Sequence, residues 1–413
     1  MLDLVLRGAR TSDGGPLVQI GITGGRIAAM GPLLPEPAID VLDVGGRVVV
    51  PGLVEPHVHL DKALLGDRVE NRSGTLGEAI RVTGAAKQHL TRSDLRTRAE
   101  AALRMCLQHG VTLLRAQTEF DPQIGLVGLE VLLELQAAYA GLVDIQVVAF
   151  PQEGIHQTPG TLELFGAALQ MGADVVGGVP YNDVSAEQHI ETCFALAERF
   201  DRPLSFHQDF ADDATALSVE YLARRTIVAG LQGRVEIGHA TALGALPPAR
   251  LAAVAELLRL ADISVISLPL TDLHLGGRAD THNVRRALAP VRALLEAGVN
   301  VAAGANNLRN AFTPFGTGDP LLTAYLLLPT AHLGGAELLP RVLDLVTANA
   351  ARAIGRAGSY GLAVGAPADV VVLDTMRYAD AVTDLPERRW VLKAGRLTLE
   401  HEIQRRWHVQ PGD

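Results

Sequence analysis

The chain has 413 residues, 48% hydrophobic and 20% charged, with a formal net charge of −10. That length suits one large α/β domain with a smaller companion. The acidic balance argues against nucleic acid or an anionic membrane as partner, because phosphate binding needs a basic surface.

Residues 1–50 read as short strands and turns. Residues 2–6 alternate, and residues 18–22 and 26–30 flank Gly24-Gly25, a hairpin signal. The N-terminal MLDLVLRGAR lacks the basic-then-apolar order of a signal peptide. No run of about 18 apolar residues offers a transmembrane helix. The two cysteines, Cys106 and Cys193, stand far apart in helix-like sequence. A reducing, cytoplasmic setting without disulfides is therefore expected.

From about residue 48 the texture changes. Short apolar runs (VVVPGLVEP, VTLLRAQTE, DIQVVAF, DVVGGVP, LSFHQD, VEIGHA, ISVISLP and VNVAAGAN) alternate with amphipathic stretches such as 95–109, 185–200, 246–261 and 284–297. Strands separated by helix-length segments predict an α/β fold, a parallel (β/α)8 TIM barrel. An open doubly wound sheet is the alternative, but no Gly-x-Gly-x-x-Gly opens a helix after a strand. Past the barrel the short-strand texture returns. Residues 361–367 are turn-rich, 369–373 read as a strand, and 390–399 as another broken at Ala394-Gly395. Residues 1–50 and 358–405 are thus expected to form one small β-sandwich-like subdomain, with the barrel at 51–357.

Barrel active sites lie at the C-terminal strand ends. His57 and His59 close the first run, Gln117 and Glu119 the second, and Gln152 follows the third. His207 and Asp209 close the fifth, His239 the sixth, and Asn306 and Asn307 the eighth. Residues i and i+2 of a strand face the same side, so His57 and His59 converge. An isolated histidine is more often a core residue. A His-x-His pair with two further strand-end histidines points to a metal, for which neutral imidazole suits Zn, Fe, Ni or Cu.

The segments PGLVEPHVHLDK, VDIQVVAFPQEGI, GADVVGGVP, FHQD, GHATAL, LPLTDLHLGGRADT and GANNLRNAFTPFGTGD closely resemble the amidohydrolase superfamily, above all its cytosine deaminase-like members. Several also resemble the N-isopropylammelide amidohydrolases. The resemblance runs over nearly the whole chain. It implies that His57, His59 and His207 are ligands of one divalent ion, Zn or Fe. It implies that His239 polarises the substrate or steadies the attacking hydroxide, and that Gln152 reads the edge of a heterocycle. Asn306 stands where the family has a ligating aspartate that serves as general base, and Phe210 where the deaminases have a proton-shuttling glutamate. Neither replacement can move a proton. Gln117 and Glu119 stand where relatives have histidine and aspartate.

Asp209 is the first candidate for a replacement base, since it shares a strand face with His207; Glu119 and Asp61 follow. Lys62 occupies a pocket-edge position, suited to an anionic substrate or to pairing with an acid. Phe312 and Phe315 are expected to wall the pocket. Residues 273–281 are expected to form a lid loop carrying His274, Arg278 and Asp280. The resulting expectation is a metal-dependent hydrolase of a C–N bond in a nitrogen heterocycle or small cyclic amide, with cytosine a poor substrate. The alternative is a relative that binds such a heterocycle without hydrolysis. Retention of all four histidines and Gln152 favours the enzyme. The partner is a small-molecule heterocycle, and a homo-oligomer is left open.

Overall fold

The computed structural model describes residues 1–402, 404, 406 and 408. In chain order the strands are β1 (Leu2–Ala9), β2 (Val18–Thr23), β3 (Arg26–Gly31), β4 (Ala38–Asp43), β5 (Val48–Pro51), β6 (Leu53–His59), β7 (Val111–Glu119) and β8 (Asp144–Phe150). They continue with β9 (Val175–Gly178), β10 (Leu204–Gln208), β11 (Val235–His239), β12 (Ser264–Ser267), β13 (Val301–Ala303), β14 (Val370–Leu373), β15 (Arg388–Lys393) and β16 (Arg396–Glu400). One compact unit gathers residues 1–52 with those from Leu362 onward; the other is Leu53–Gly361. Of the expected terminal segment 358–405, Ile403 and Arg405 lie outside the described residues.

The terminal unit holds two four-stranded sheets, ordered β3-β2-β1-β4 and β16-β15-β14-β5. Leu6, Ile20, Ile22, Ile27, Val44 and Val49 pack with Val370, Val372, Trp390 and Leu392 in one buried core. This is the expected sandwich. One strand, β4, was not expected: it runs parallel to β1 and leaves Ile39 and Val41 exposed. The prolines just before it, Pro32, Pro35 and Pro37, read as loop.

In the second unit β6 to β13 form a parallel sheet of eight strands in sequence order. A bridge between β6 and the segment after β13 completes the ladder: Asn306 N–H donates to His57 O at 2.9 Å and His59 N–H to Asn306 O at 2.7 Å. The fold is therefore the expected α/β barrel with a terminal subdomain. The run VVVPGLVEP is two strands, because Gly52 separates β5 of the terminal unit from β6 of the barrel. The helices at 92–108, 186–200 and 248–260 fall where the periodicity places them. The expected helix at 284–297 shortens to Val291–Glu296, since Pro290 biases the residue before it away from helical backbone. Among the described residues no helix is long and apolar enough to cross a membrane.

The barrel contains a charged pair. Arg115 is fully buried; it donates to Gln146 Oε1 at 3.0 Å and to Ile354 O at 3.1 Å, and meets Glu236 Oε1 at 3.4 Å. Burial pushes the Glu236 carboxyl up to about 7 despite the guanidinium. Arg115→Ala should lower stability by about 3–5 kcal/mol, because it strands a buried carboxylate. A denaturant midpoint equal to wild type would show that this pair is not structural.

Candidate metal and substrate site

The C-terminal ends of β6, β10 and β11 bring four histidines together. His57 and His59 leave β6 on one face, and the His57 and His207 ring centroids lie 4.7 Å apart. His59 Nε2 and His207 Nε2 are 3.0 Å apart. One nitrogen from each of these three residues lies within 4.8 Å of the others. Burial, with the repulsion each ring would meet on protonation from its neighbours (His239 for His57, Lys62 for His59, His57 for His207), holds all three imidazoles well below their ordinary pKa. They are neutral, which is the ligating form.

The set fits a divalent ion. Two ring nitrogens 3.0 Å apart have the spacing of adjacent ligands about one ion, each about 2.0–2.1 Å from it. His57 Nε2 and Asn306 Oδ1 are buried without a hydrogen-bond partner, a condition that costs about 1–3 kcal/mol per group. Asn306 has a φ of +60°, and its backbone closes the barrel beside His57 and His59. Gln117 lies behind His57, its amide nitrogen 3.4 Å from Nδ1.

His239 stands differently. Its backbone is left-handed at φ +68°, as is Ala240 at +53°, a strained pair for residues other than glycine. Its Nδ1 lies 2.6 Å from Asp272 Oδ1. Phe210 stacks on its face with centroids 4.0 Å apart and planes 11° from parallel. The sequence reading missed Asp272. It sits in the helix Pro269–Leu275, one residue before the stretch expected to form a lid.

The pocket wall includes His59, His207, His239, Asn306, Asn307, Lys62, Gln152, Phe312, Phe210, Tyr181, Thr271 and Leu76. Lys62 Nζ lies 3.4 Å from Gln152 Oε1 and 4.7 Å from the centroid of the Phe312 ring. The three expected substrate contacts thus stand side by side. No aspartate or glutamate lines this pocket among the described residues.

The three carboxylates considered as replacement bases are engaged elsewhere. Asp209 lies one residue past β10 with φ +43°, so strand alternation no longer points it beside His207. Its oxygens accept from Gln208 Nε2, the Ser218 hydroxyl and the backbone N–H groups of Ser218 and Val219, at the start of the helix Val219–Ala229. Asp61 accepts from the N–H groups of Lys62 and Glu119, each at 2.8 Å. Burial and the Glu119 charge push it up to about 6. Glu119 meets Lys87 at 3.2 Å and Lys62 at 3.8 Å. Lys87, also missed from the sequence, pairs further with Asp121 and Glu153. Burial pulls its ammonium down, but these three carboxylates outweigh burial and hold it above its usual range.

The expected lid is not a loop throughout, since His274 belongs to the helix. Asp280 pairs with Arg285 at 2.6 Å, Gly277 N–H donates to Asp212, and Arg278 donates to His274 O. Phe315 is largely exposed and meets His274 edge-on at 5.5 Å, so Phe312 alone of the two phenylalanines walls the pocket.

The sequence profile described as "Amidohydrolase family" matches residues 71–399. The chain belongs to the amidohydrolase family. It is a hydrolase of carbon–nitrogen bonds other than peptide bonds. This amidohydrolase is 29% identical over 412 residues to N-isopropylammelide isopropyl amidohydrolase of Pseudomonas sp. (strain ADP), covering 97% of this chain and 98% of the relative. The structure of 5-methylcytosine deaminase from Klebsiella pneumoniae with 5-fluorocytosine superposes with a TM-score of 0.93 at 33% identity, over 99% of this chain and 100% of that one. N-isopropylammelide isopropylaminohydrolase from Burkholderia multivorans gives 0.84 at 31% identity, over 96% and 98%.

Proposed function

We propose that this amidohydrolase hydrolyses a C–N bond on a nitrogen heterocycle, releasing ammonia or an amine, at a metal centre formed by His57, His59 and His207 with the amide oxygen of Asn306. The observation that carries this reading is the set of three buried neutral imidazoles converging beside the partnerless Asn306 oxygen. A divalent Zn or Fe ion bound there supplies Lewis acidity for attack by water. Relatives named for ammelide and cytosine derivatives support a heterocyclic substrate.

The chain's own groups bind and orient it. Gln152 offers an acceptor and two donors to an amide-like ring edge. Lys62 places a cation beside Gln152, suited to a carbonyl oxygen or an anionic ring. Phe312 lies against the same space. His239 faces the pocket, placed to steady the attacking water. Asp209, the first candidate base from the sequence, supports β10 and the following helix in this reading.

Metal analysis of protein purified without chelator, with a screen of pyrimidines, triazines, pterins and cyclic amides for released ammonia or amine, tests the proposal. Absence of metal even after loading would reject it. The absence of any carboxylate from the pocket wall among the described residues favours a second reading, a protein that binds a heterocycle without hydrolysing it. Tight heterocycle binding with no product from a metal-loaded protein would establish that one.

Cytosine should be a poor substrate. Phe210 and Asn306 replace two proton-moving residues, and such groups contribute about 10²–10⁴-fold each. Cytosine turnover on the order of 10 per second would refute this assignment of the relay.

A further inference from the structure

With no carboxylate on the pocket wall among the described residues, the proton of an attacking water needs another acceptor. The geometry points to Asp272 as a positioning residue: it holds His239 in the tautomer with hydrogen on Nδ1, so that Nε2 is presented bare to the substrate as the proton acceptor of hydrolysis. This rests on the hydrolase reading above and names how that site moves its protons.

Both carboxylate oxygens of Asp272 are placed. One lies 2.6 Å from His239 Nδ1, and the other accepts the Leu268 N–H at 3.3 Å, closing the first turn of its own helix. Asp272 is completely buried, and His239 nearly so. Burial raises the Asp272 carboxyl, and the His239 ring and the Leu268 N–H work against burial; as a carboxylate it only accepts hydrogen bonds, which puts the hydrogen on Nδ1. The stacked Phe210 ring fixes the plane of the imidazole, leaving Asp272 to decide which ring edge faces the pocket. His239 lines that pocket and Asp272 does not. The residue that cannot shuttle a proton, Phe210, thus clamps the one that can. A carboxylate that orients a neutral imidazole and stabilises it once protonated is a known arrangement for general-base catalysis.

The step balances. As water oxygen bonds to the ring carbon, its proton passes to His239 Nε2. That proton then passes to the departing nitrogen as the C–N bond breaks. The second water proton moves from the new hydroxyl to the adjacent ring nitrogen, so the products are a ring carbonyl beside a ring N–H, and ammonia or an amine, and the imidazole returns neutral.

Ring-nitrogen NMR of the 15N-histidine-labelled full chain reads the tautomer directly, with His239 identified by the signals lost in His239→Gln. The expected wild-type result is a protonated Nδ1 and a bare Nε2; the reverse tautomer would overturn the proposal without any variant. In Asp272→Asn the carboxamide can turn its NH2 toward the ring, so the tautomer should shift. With a substrate from the heterocycle screen, kcat should fall by about 10²–10⁴-fold, with KM and bound metal little changed. An unchanged kcat with an altered tautomer would also overturn it. A purely structural Asp272 would lower stability and leave the tautomer as it was. If no heterocycle is hydrolysed, the hydrolase reading fails, whereas the tautomer still reports on Asp272.

Discussion

Replacing His57 by alanine is expected to abolish metal retention. His57 Nε2 is buried and without a protein partner, and its ring packs against His59 and His207. Removing a partner that merely supports a ligand costs about 10–100-fold in metal affinity, so loss of a ligand should exceed that range. Asn306→Asp should act in the opposite direction. It adds a formal negative charge beside a dication at a site whose present donors are all neutral, so the variant should hold metal more tightly than wild type. Chelator competition on wild type, His57→Ala and Asn306→Asp measures both effects. Equal retention in wild type and His57→Ala would remove the His-x-His pair from the metal centre. Unchanged retention in Asn306→Asp would mean that the Asn306 side chain does not face the ion.

Ending the chain at residue 361 should leave residues 1–52 unfolded and the protein insoluble. The truncation removes β14, the strand that pairs with β5, along with the Val370, Val372, Trp390 and Leu392 side of the core. Leu6, Ile20, Ile22, Ile27, Val44 and Val49 would lose their packing partners. Each such side chain is worth about 1.5–3 kcal/mol when fully buried, and a whole domain has about 5–15 kcal/mol in hand. The edge of β5 would also present unpaired backbone groups, a template for aggregation. Limited proteolysis and solubility read the outcome. A soluble truncated chain with residues 1–52 resistant to protease would contradict the joint assembly of the two termini.

The pattern of the chain by itself determined the barrel. Strand runs alternating with helix-length amphipathic stretches admit few other solutions, and polar residues at run ends mark its catalytic mouth. His57 and His59 were legible because strand periodicity is local: two positions apart means the same face. Phe210 and Asn306 read as departures only through the resemblance of the motifs around them. Tertiary structure decided the rest. Asp209 leaves the site because one left-handed residue past the end of β10 ends the alternation. No sequence rule foretells that turn for an aspartate flanked by Gln208 and Phe210. Asp272 and His239 are 33 residues apart, one in the helix after β12 and the other at the end of β11, and nothing local pairs them. Lys87, distant in sequence from Glu119, Asp121 and Glu153, gathers all three only in the folded chain. Local chemistry and period are written in the order of residues. Which carboxylate meets which base is set by the closure of the barrel, where separate strands contribute to one pocket.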